Sequence, residues 1–360
     1  MIKKTLRALG LMSGTSLDGI DAAIVETDGE TVVVTGPATT VSYESTLRER
    51  LRRALGARGP VKAVERDMTL AHAEVVNGLL KASGLKPSDV DVIGFHGHTI
   101  LHRPREQLTW QLGDGALLAA RTGIDVVCEF RNNDVAEGGE GAPLVPLFHA
   151  ALASRLEHPV AVLNIGGVAN VTWLGADGGV LAFDTGPGNA LIDDWMLTHT
   201  GRACDANGES AAKGRIDKTV LAGFLAHPYF ARKPPKSLDR NEFDPSPVSA
   251  LSLEDGAATL TAFTAEAAGL AARHFPAPVK RWIVTGGGRR NATLLRAIAA
   301  ATGVSVVTAE QVGWDGDALE AQAFAYLAVR SLKGLPLSLP TTTGVARPMP
   351  GGQLFRFREA

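Results

Sequence analysis

The amino-acid sequence predicts an α/β protein built from two related lobes. Three short strands separated by turns begin near residue 6, and the same arrangement begins again near residue 160. Segments with the helical spacing of apolar residues follow each set of strands. The length of 360 residues also suits two domains, or one large α/β unit, better than one ordinary domain. The duplication rests on this pattern, because sequence identity between the two halves is negligible.

In the first half, turns rich in glycine, serine and aspartate separate the predicted strands. The predicted elements are strands at 6–12, 20–26 and 32–34, helices at 46–55 and 61–83, a strand at 90–95, a helix at 113–121 and a strand at 125–128. The longer helix is predicted from Val64, Met68, Ala71 and Val75, which recur at helical spacing.

The second half repeats the beginning with three strands. The predicted elements are strands at 160–165, 168–174 and 180–183, helices at about 188–199, 210–226 and 254–274, a strand at 281–285, a helix at 291–301, a strand at 304–307 and a helix at 316–331. Segments 132–146, 228–247 and 336–352 are rich in glycine or proline and predict loops. Long loops in a compact chain often act as lids or linkers, and plain surface connections are the alternative.

Composition excludes several classes of protein. The chain has 36 basic and 38 acidic residues, so there is no basic excess to neutralise a nucleic acid. Cys128 and Cys204 are the only cysteines, which excludes a disulfide-built scaffold and fits a reducing cytoplasm. The uncharged run at 159–176 contains asparagines and paired glycines, and Arg7 interrupts the apolar stretch near the start. We therefore expect a cytoplasmic protein with no membrane anchor.

Three glycine-containing turns that follow predicted strands are candidate phosphate sites. In the first, Gly14, Thr15 and Ser16 are small enough for backbone N–H groups to approach an anion, and Asp18 would hold Mg²⁺ through water. A simple hairpin turn is the alternative. The second turn, 164–170, lies at the matching place in the other half, and the third carries three consecutive glycines between a strand and a helix. No Walker sequence G-x-x-x-x-G-K-[ST] occurs, and no G-x-G-x-x-G follows a strand.

Asp184 is the main candidate for a catalytic carboxylate. It lies at the end of a predicted strand in FDTGPGN, so its side chain is expected in the crevice at the carboxyl end of that strand. There it would act as a general base for water or a hydroxyl group. One alternative is an aspartic protease, which needs two such carboxylates, but no second D-[ST]-G occurs. The other is an aspartate that caps the following helix.

Polar side chains in two further segments are candidates for substrate contacts. FHGHTILHRP places His96 and His98 on one face of a strand and His102 beyond a bend. A Zn²⁺ site would need a third ligand close by, so a polar role beside the substrate or at a hinge is favoured. Arg131 lies just after the end of the predicted strand 125–128 and would bind a carboxylate or phosphate with two hydrogen bonds. A surface ion pair with Asp134 is the alternative.

Glu320 lies near the start of the last predicted helix. An acidic residue there complements the helix dipole, which is the simpler interpretation. As a site residue it would present its carboxylate to a cleft.

These motifs together resemble the anhydro-N-acetylmuramic acid kinase family over nearly the whole chain. The similar segments occur in the family's order and are LMSGTSLDGIDAAIVE, GFHGHTILHRP, FRNNDVAEGGEGAPLVPLFH, LNIGGVANVT, FDTGPGNALID, ACDANGESAAKGRI, PPKSLDR, VTGGGRRNATLL and GDALEAQAFAYLA. The combination is far more specific than any single glycine turn.

The resemblance implies a fold and a reaction. The fold is that of actin-like ATPases, sugar kinases and heat-shock ATPases, with two ribonuclease-H-like βββαβα lobes that bind ATP and Mg²⁺ in a central cleft. Lobe I would comprise residues 1–130 and about 336–360, and lobe II residues 131–335. In the family's reaction, 1,6-anhydro-N-acetylmuramate, ATP and water give N-acetylmuramate 6-phosphate and ADP, which serves the recycling of peptidoglycan amino sugars. The partners would be these small molecules, and a homodimer is left open.

Two alternatives to this reaction are considered. One is an ordinary hexose or amino-sugar hydroxyl kinase of the same fold. The other is a non-catalytic nucleotide-binding protein of the actin-like type, for which a catalytic base would be dispensable.

The resemblance also assigns site residues. Asp184 matches the family's catalytic carboxylate, and Arg131, Glu320 and His96 match positions expected near the sugar. The expected nucleotide-binding residues are Gly14, Thr15, Ser16, Leu17, Asp18, Gly19, Ile20, Asp21, Gly286 and Gly287. Asp18 would also contact the metal ion.

Three positions depart from the family's usual pattern. His98 stands where glutamine is common, Glu140 replaces a glutamine, and Thr285 replaces a cysteine before the triple glycine. These departures affect the expected local contacts with the substrate and leave the implied reaction unchanged.

Overall fold

The computed structural model describes residues 5–14 and 17–358, and this part of the chain divides into two compact units. Unit 1 extends to Arg155 and resumes at Asp317, whereas unit 2 is the continuous segment Leu156–Gly316. Each unit contains its own β-sheet. Among the described residues, no helix is long and apolar enough to cross a membrane.

The strands lie close to the positions that the sequence predicts. Along the described residues they are β1 (Leu6–Ser13), β2 (Gly19–Thr27), β3 (Val33–Ser42), β4 (Val92–Arg103), β5 (Leu108–Leu112), β6 (Val126–Cys128), β7 (Val160–Ile165), β8 (Val168–Leu174), β9 (Val180–Pro187), β10 (Arg281–Thr285), β11 (Val306–Thr308) and β12 (Gln353–Phe355).

The α-helices follow the two sets of strands. They are α1 (Ser45–Ala54), α2 (Val61–Ala82), α3 (Gly115–Thr122), α4 (Asn132–Ala136), α5 (Pro146–Leu152), α6 (Ala190–Thr200), α7 (Lys218–Leu225), α8 (Leu253–Ala271), α9 (Ala292–Thr302), α10 (Leu319–Leu332) and α11 (Pro340–Thr343).

Five strands of each sheet follow the same order, and β12 and β5 are additional strands in unit 1. In unit 1 the order is β12-β6-β4-β1-β2-β3, with β5 paired to β4, and in unit 2 it is β11-β10-β7-β8-β9. The first three strands of each unit form an antiparallel meander. The next strand then pairs in parallel with the first one, β4 with β1 and β10 with β7. This shared topology confirms the predicted two-lobed α/β fold with its duplicated meander.

The sheet of unit 1 is covered on both faces. Leu9 and Leu11 on β1 belong to the core shared with α2 and α3. Gly10 points to the opposite face, where a Cβ atom would lie 1.7 Å from the backbone oxygen of Ala321 on α10. Because only glycine allows this approach, β1 lets the backbone of α10 pack directly on the sheet.

Helix α10 belongs to unit 1, which differs from the predicted division of the chain at residues 130 and 335. Gly94 on β4 also lies under α10, since a Cβ there would be 2.0 Å from the oxygen of Phe324. On the same helix, the ring of Tyr326 packs against Phe148 of α5 with centroids 5.5 Å apart. Both 131–155 and 317–335 therefore join the first unit, because α10 packs on its sheet and α5 packs on α10.

The core of unit 2 lies between its sheet and two helices. Buried side chains of β7, β8 and β9 pack against α8 and α9, with Trp282 of β10 fully buried. A second apolar cluster joins α6, α7 and α8 to the chain at 229–251. This second cluster fixes the loop that runs beside the end of β9.

Candidate active site

The first glycine turn connects β1 and β2 in unit 1. The N–H of Leu17 donates to the oxygen of Gly14 at 3.1 Å, and Leu17 has a left-handed φ of 59°. Gly19 is required at the start of β2, because a Cβ would lie 2.4 Å from the oxygen of Val41. Thr15 and Ser16 lie outside the described residues. The described part of this turn is thus a tight connection that begins beside buried Ser13.

Hydrogen bonds link Ser13 to the side chains of Tyr43 and His98. The hydroxyl of Tyr43 donates to Ser13 Oγ at 2.7 Å, and Ser13 Oγ lies 3.1 Å from Nδ1 of His98. Burial lowers the pKa of His98 to about 4, so the ring stays neutral at physiological pH.

A second buried histidine lies near these hydrogen bonds. Nδ1 of His72 donates to the oxygen of Met68 at 2.8 Å, which leaves Nε2 as an acceptor. Burial lowers the pKa of His72 to about 4, and His98 contributes to that shift. Both rings are fully buried, and the two Nε2 atoms have no hydrogen-bond partner among the described residues.

Three carboxylates, those of Asp18, Asp21 and Asp317, influence one another in unit 1. Burial raises the pKa of Asp21, and the charges of Asp317 and Asp18 raise it further, while a 2.6 Å hydrogen bond from Thr40 opposes the shift. Asp18 is itself exposed and lies 3.3 Å from the guanidinium of Arg48.

This acidic group suits a hard cation. A bound cation would relieve the repulsion that raises the pKa of Asp21. Within the described ranges, no cluster of three or more His, Cys, Asp or Glu side chains forms a metal site. Mg²⁺ keeps several waters and often uses only one or two carboxylates together with phosphate oxygens. The residues present therefore fit Mg²⁺ better than a metal that needs a protein-built cage.

The predicted sugar-binding residues meet in unit 1. The guanidinium of Arg131 donates to Nε2 of His96, and its Nη1 donates to the oxygen of Gly141 at 2.6 Å. The negative charge of Glu320 acts on Arg131, and burial lowers the pKa of this arginine to about 10. His96 also packs on Phe324 of α10, with ring centroids 4.5 Å apart. A charged arginine, a neutral imidazole and a half-buried carboxylate thus lie in one region.

Asp134 has a structural role in the loop after α4. Its Oδ1 accepts from the N–H of Gly141 at 2.7 Å, and its Oδ2 accepts from the hydroxyls of Ser338 and Thr343. The carboxylate is only 3% exposed. The alternative of a surface ion pair between Arg131 and Asp134 is therefore wrong, and Asp134 instead shapes the segment that Arg131 contacts.

In unit 2, Asp184 lies on β9 and is held by its neighbours. Its N–H donates to the oxygen of Lys236 at 3.0 Å, and its Oδ2 accepts from the N–H of Leu238 at 2.8 Å. The hydroxyl of Tyr229 donates to the backbone oxygen of Asp184 at 2.5 Å. The carboxylate is half-buried and oriented by these bonds. The alternative of a helix cap gains no support, because α6 begins at Ala190, after Asn189.

The second and third glycine turns lie against each other in unit 2. A Cβ on Gly286 would lie 2.4 Å from Oδ1 of Asn164, at the end of β7, and the residue has a φ of +71°. The amide of Asn189 donates to the oxygen of Ile165 at 3.1 Å. By contrast, the nearest atom to a Cβ on Gly287 would be Nδ2 of Asn189, at 3.6 Å. Gly287 therefore offers an open backbone surface, whereas Gly286 is packed.

Helix α9 does not begin directly at the glycines. A short 3₁₀ turn over Gly287–Arg290 intervenes, and the side chain of Asn291 caps α9 by accepting from the N–H of Leu294 at 2.9 Å. The side chain of Arg289 is buried, with Nε 2.6 Å from Glu310. The nucleotide contact at this turn stays a prediction, and α9 begins at Ala292, one residue after the predicted start at 291.

Sequence reasoning missed several residues of these sites. Lys236 and Tyr229 support Asp184, and Asn164 and Asn189 support the glycine turns. The motifs PPKSLDR, LNIGGVAN and FDTGPGN contain three of these residues, which was the available signal. The three departing residues are all placed: His98 bonds Ser13, the backbone oxygen of Glu140 accepts from His102, and Thr285 bonds Asn164.

The chain is similar to known proteins over nearly its whole length. The family model described as anhydro-N-acetylmuramic acid kinase matches residues 6–356. The anhydro-N-acetylmuramic acid kinase of Paramagnetospirillum magneticum is 60% identical over 96% of this chain and 98% of its own length. That of Rhodospirillum rubrum is 56% identical over 96% of this chain and 93% of its own.

Solved structures of lower similarity were also found. Component A of the (R)-2-hydroxyglutaryl-CoA dehydratase of Acidaminococcus fermentans is 17% identical, with a TM-score of 0.49 over 90% of this chain and 99% of that chain. The family model matches 351 residues, from Leu6 to Arg356, and the two relatives are each more than 50% identical to the chain. Together these findings establish the family. The chain belongs to the anhydro-N-acetylmuramic acid kinase family.

Proposed function

We propose that the protein is an ATP-dependent kinase that opens 1,6-anhydro-N-acetylmuramic acid with water and phosphorylates its 6-oxygen. The products are N-acetylmuramate 6-phosphate and ADP. Family membership supports the substrate class. The single structural observation that carries the proposal is the half-buried Asp184 carboxylate, which accepts a backbone N–H bond from Leu238 and lies within β9, beyond the predicted end of that strand at 183.

Asp184 acts as the general base. It takes a proton from the water that attacks the anomeric carbon, and the bond from that carbon to the 6-oxygen breaks. The released 6-oxygen accepts the γ-phosphoryl group of ATP. One base thereby drives both ring opening and phosphorylation, and a positioned base of this kind contributes about 10²- to 10⁴-fold to the rate.

Arg131, His96 and Glu320 bind the sugar. The arginine donates to neutral His96 and feels the charge of Glu320, so donors and acceptors of fixed direction lie together. Fixed polar groups of this kind orient a sugar without moving when it binds.

The first turn and the glycine turn of unit 2 bind the nucleotide. The first turn, Gly14 to Asp21, contacts the phosphates, and Gly286 and Gly287 lie beside the nucleoside. Asp18 and Asp21 would hold Mg²⁺. Burial is the main cause of the raised pKa of Asp21, and the added effect of the Asp18 charge supports a shared site for the two carboxylates. When bound, this ion neutralises charge on the phosphates.

The cellular setting is part of the proposal. We place the protein in the cytoplasm, where ATP is available, with small molecules as its partners. The absence of a basic excess in the composition supports this choice over nucleic acid. Sedimentation of the purified protein distinguishes a monomer from a homodimer.

A coupled assay of ADP release tests the function. Purified protein receives ATP and Mg²⁺ with anhydro-N-acetylmuramate, glucose or N-acetylglucosamine. We expect turnover with the anhydro sugar alone, and in ¹⁸O-labelled water one labelled oxygen at the anomeric position. Comparable turnover with glucose or N-acetylglucosamine would support an ordinary hydroxyl kinase. Nucleotide binding with no sugar-dependent ADP release would support the non-catalytic alternative.

A further inference from the structure

The segment that contains Lys236 runs beside β9 and contacts both the backbone and the carboxylate of Asp184. The oxygen of Lys236 accepts from the N–H of Asp184, and the N–H of Leu238 donates to the Asp184 carboxylate. Two residues of one short segment therefore fix both the backbone and the side chain of Asp184. The segment is in turn held by the apolar cluster of α6, α7 and α8.

The side chain of Lys236 is buried in this arrangement. The residue is 4% exposed, and its ammonium donates to the oxygen of Tyr229 at 3.2 Å. The ammonium nitrogen lies 4.4 Å from the ring centroid of Tyr229 and 5.8 Å from that of Phe183. The hydroxyl of the same tyrosine donates to the backbone of Asp184. Lys236 thus contacts the strand that carries Asp184 through aromatic rings as well as through the backbone.

The charges around this lysine are few. Burial lowers the pKa of Lys236 to about 8, the guanidinium of Arg232 lowers it further, and the Asp184 carboxylate opposes the shift. His274, which packs on Phe183, has a pKa lowered by its own burial and by Lys236. Among the charges that act on Lys236, Asp184 is the negative one.

Burying an ammonium is costly unless another group compensates for it. In the described part of the chain, Lys236 forms no ion pair within 4 Å, and one carbonyl and two aromatic faces replace water only in part. A methionine or leucine would fill such a pocket at lower cost. The presence of a lysine at this buried position is explained if its positive charge acts on the Asp184 carboxylate.

We propose that Lys236 is a positioning residue for Asp184, whose buried ammonium keeps that carboxylate ionised and correctly oriented for proton abstraction. This inference rests on the proposed role of Asp184 as the general base. It adds a residue to the reaction that touches no reacting atom and acts through the carboxylate.

Lys236→Met, Lys236→Arg and Lys233→Met test the proposal. Lys233 is exposed and lies in the same loop, so its variant is the matched control. Removing a nearby positive charge raises a carboxyl pKa, by about one unit for a neighbour of this kind. We expect Lys236→Met to shift the acidic limb of the plot of kcat against pH to a higher pH, by about one unit. At pH values below that limb, kcat should therefore be about tenfold lower than in the wild type. Lys236→Arg should keep the wild-type limb, because it keeps the charge.

A second measurement needs no catalysis. The ¹³Cγ signal of Asp184, assigned with Asp184→Asn, should titrate about one unit higher in Lys236→Met than in Lys233→Met. In the wild type, the same signal should show a further inflection near pH 8, where Lys236 loses its proton. The wild-type inflection decides the proposal even where a Lys236 variant does not fold.

The proposal is overturned if Asp184 titrates identically in Lys236→Met and Lys233→Met, or if the wild-type signal is flat near pH 8. Failure of the proposed function looks different, because the wild type would then lack sugar-dependent turnover while the carboxyl titration still reported the coupling.

Discussion

Arg131 donates to Nε2 of His96 from both Nε, at 3.3 Å, and Nη2, at 3.0 Å. Since this nitrogen accepts, the proton of His96 lies on Nδ1, which donates to the oxygen of Gly97 at 2.9 Å. Burial, and then the charge of Arg131, lower the pKa of His96 well below its usual value. The pair therefore presents one fixed pattern of charge over the whole neutral pH range.

Replacing Arg131 by lysine should weaken sugar binding specifically. Lysine has a single nitrogen and cannot reproduce the planar, forked donation to His96 and Gly141. We expect KM for the anhydro sugar to rise about tenfold, as for the loss of a charge-assisted hydrogen bond, with KM for ATP unchanged. Arg53→Lys, at an exposed position of α1, is the control. A sugar KM within twofold of wild type would argue against a role of Arg131 in sugar binding.

The buried histidines should make stability depend on pH. His72 and His98 have pKa values of about 4 in the folded protein, against about 6.5 when unfolded. Between these values the unfolded chain binds more protons, so the free energy of unfolding is greatest above pH 6.5 and falls as the pH drops toward 4.

His98→Gln removes one of these titrating groups. Its free energy of unfolding, from urea denaturation, should fall by about 2 kcal/mol less than that of wild type between pH 6.5 and 4.5. Only this difference in pH dependence is diagnostic, because the substitution also changes the bond to Ser13. Parallel curves for the two proteins would contradict the assignment of a neutral, buried His98.

Asp184→Asn should separate binding from chemistry. Asparagine can still accept from the N–H of Leu238, so the local structure is preserved while the base is lost. We expect turnover to fall by about 10²- to 10⁴-fold with ATP affinity unchanged by calorimetry. Asp194→Asn, at an exposed site paired with Arg240, should behave as wild type. Turnover within about tenfold of wild type, or about 1.4 kcal/mol of barrier, would refute the base.

Two neighbouring glycines provide a matched pair of variants. Gly286→Ala places a methyl group against Asn164 and Ile165 at a positive φ, so unit 2 should unfold more readily, by about 1–3 kcal/mol, and bind ATP more weakly. In Gly287→Ala, the new methyl group would lie at an ordinary contact distance from Nδ2 of Asn189, so this variant should keep wild-type stability. Thermal unfolding and calorimetry measure both effects. Equal stability of the two variants would contradict the packed role of Gly286.

Local sequence signals predicted the meanders but missed one hairpin. Turns at Asp28–Gly29 and Asp177–Gly179 separated strands that the structure contains. The strand predicted at 90–95 instead continues to Arg103 and pairs with β5. His102, which was predicted to lie beyond a bend, is therefore part of β4, and Pro104 begins the tight turn of the hairpin. Pairing with a distant partner strand, and not local propensity, decided this region.

Residue types at the site were predictable, but their burial was not. His96, Arg131 and Glu320 were named from family resemblance, and the structure brings them together in unit 1. Lys236 lies in a proline-rich loop, where a lysine is normally exposed. Its side chain is buried by the rings of two residues. Tyr229 precedes it in the same loop region, and Phe183 lies far away in sequence on β9. Such an environment arises only from tertiary packing.

The interruption of unit 1 between Arg155 and Asp317 has a consequence for biosynthesis. All residues of unit 2 leave the ribosome before α10, the helix that covers Gly10 and Gly94. Domains generally fold as units during translation. Unit 2 can therefore complete its core before α10 is available to cover the sheet of unit 1. Chains that end after residue 316 and have been released from the ribosome should resist proteolysis within 156–316 and be cleaved readily in the portion made first.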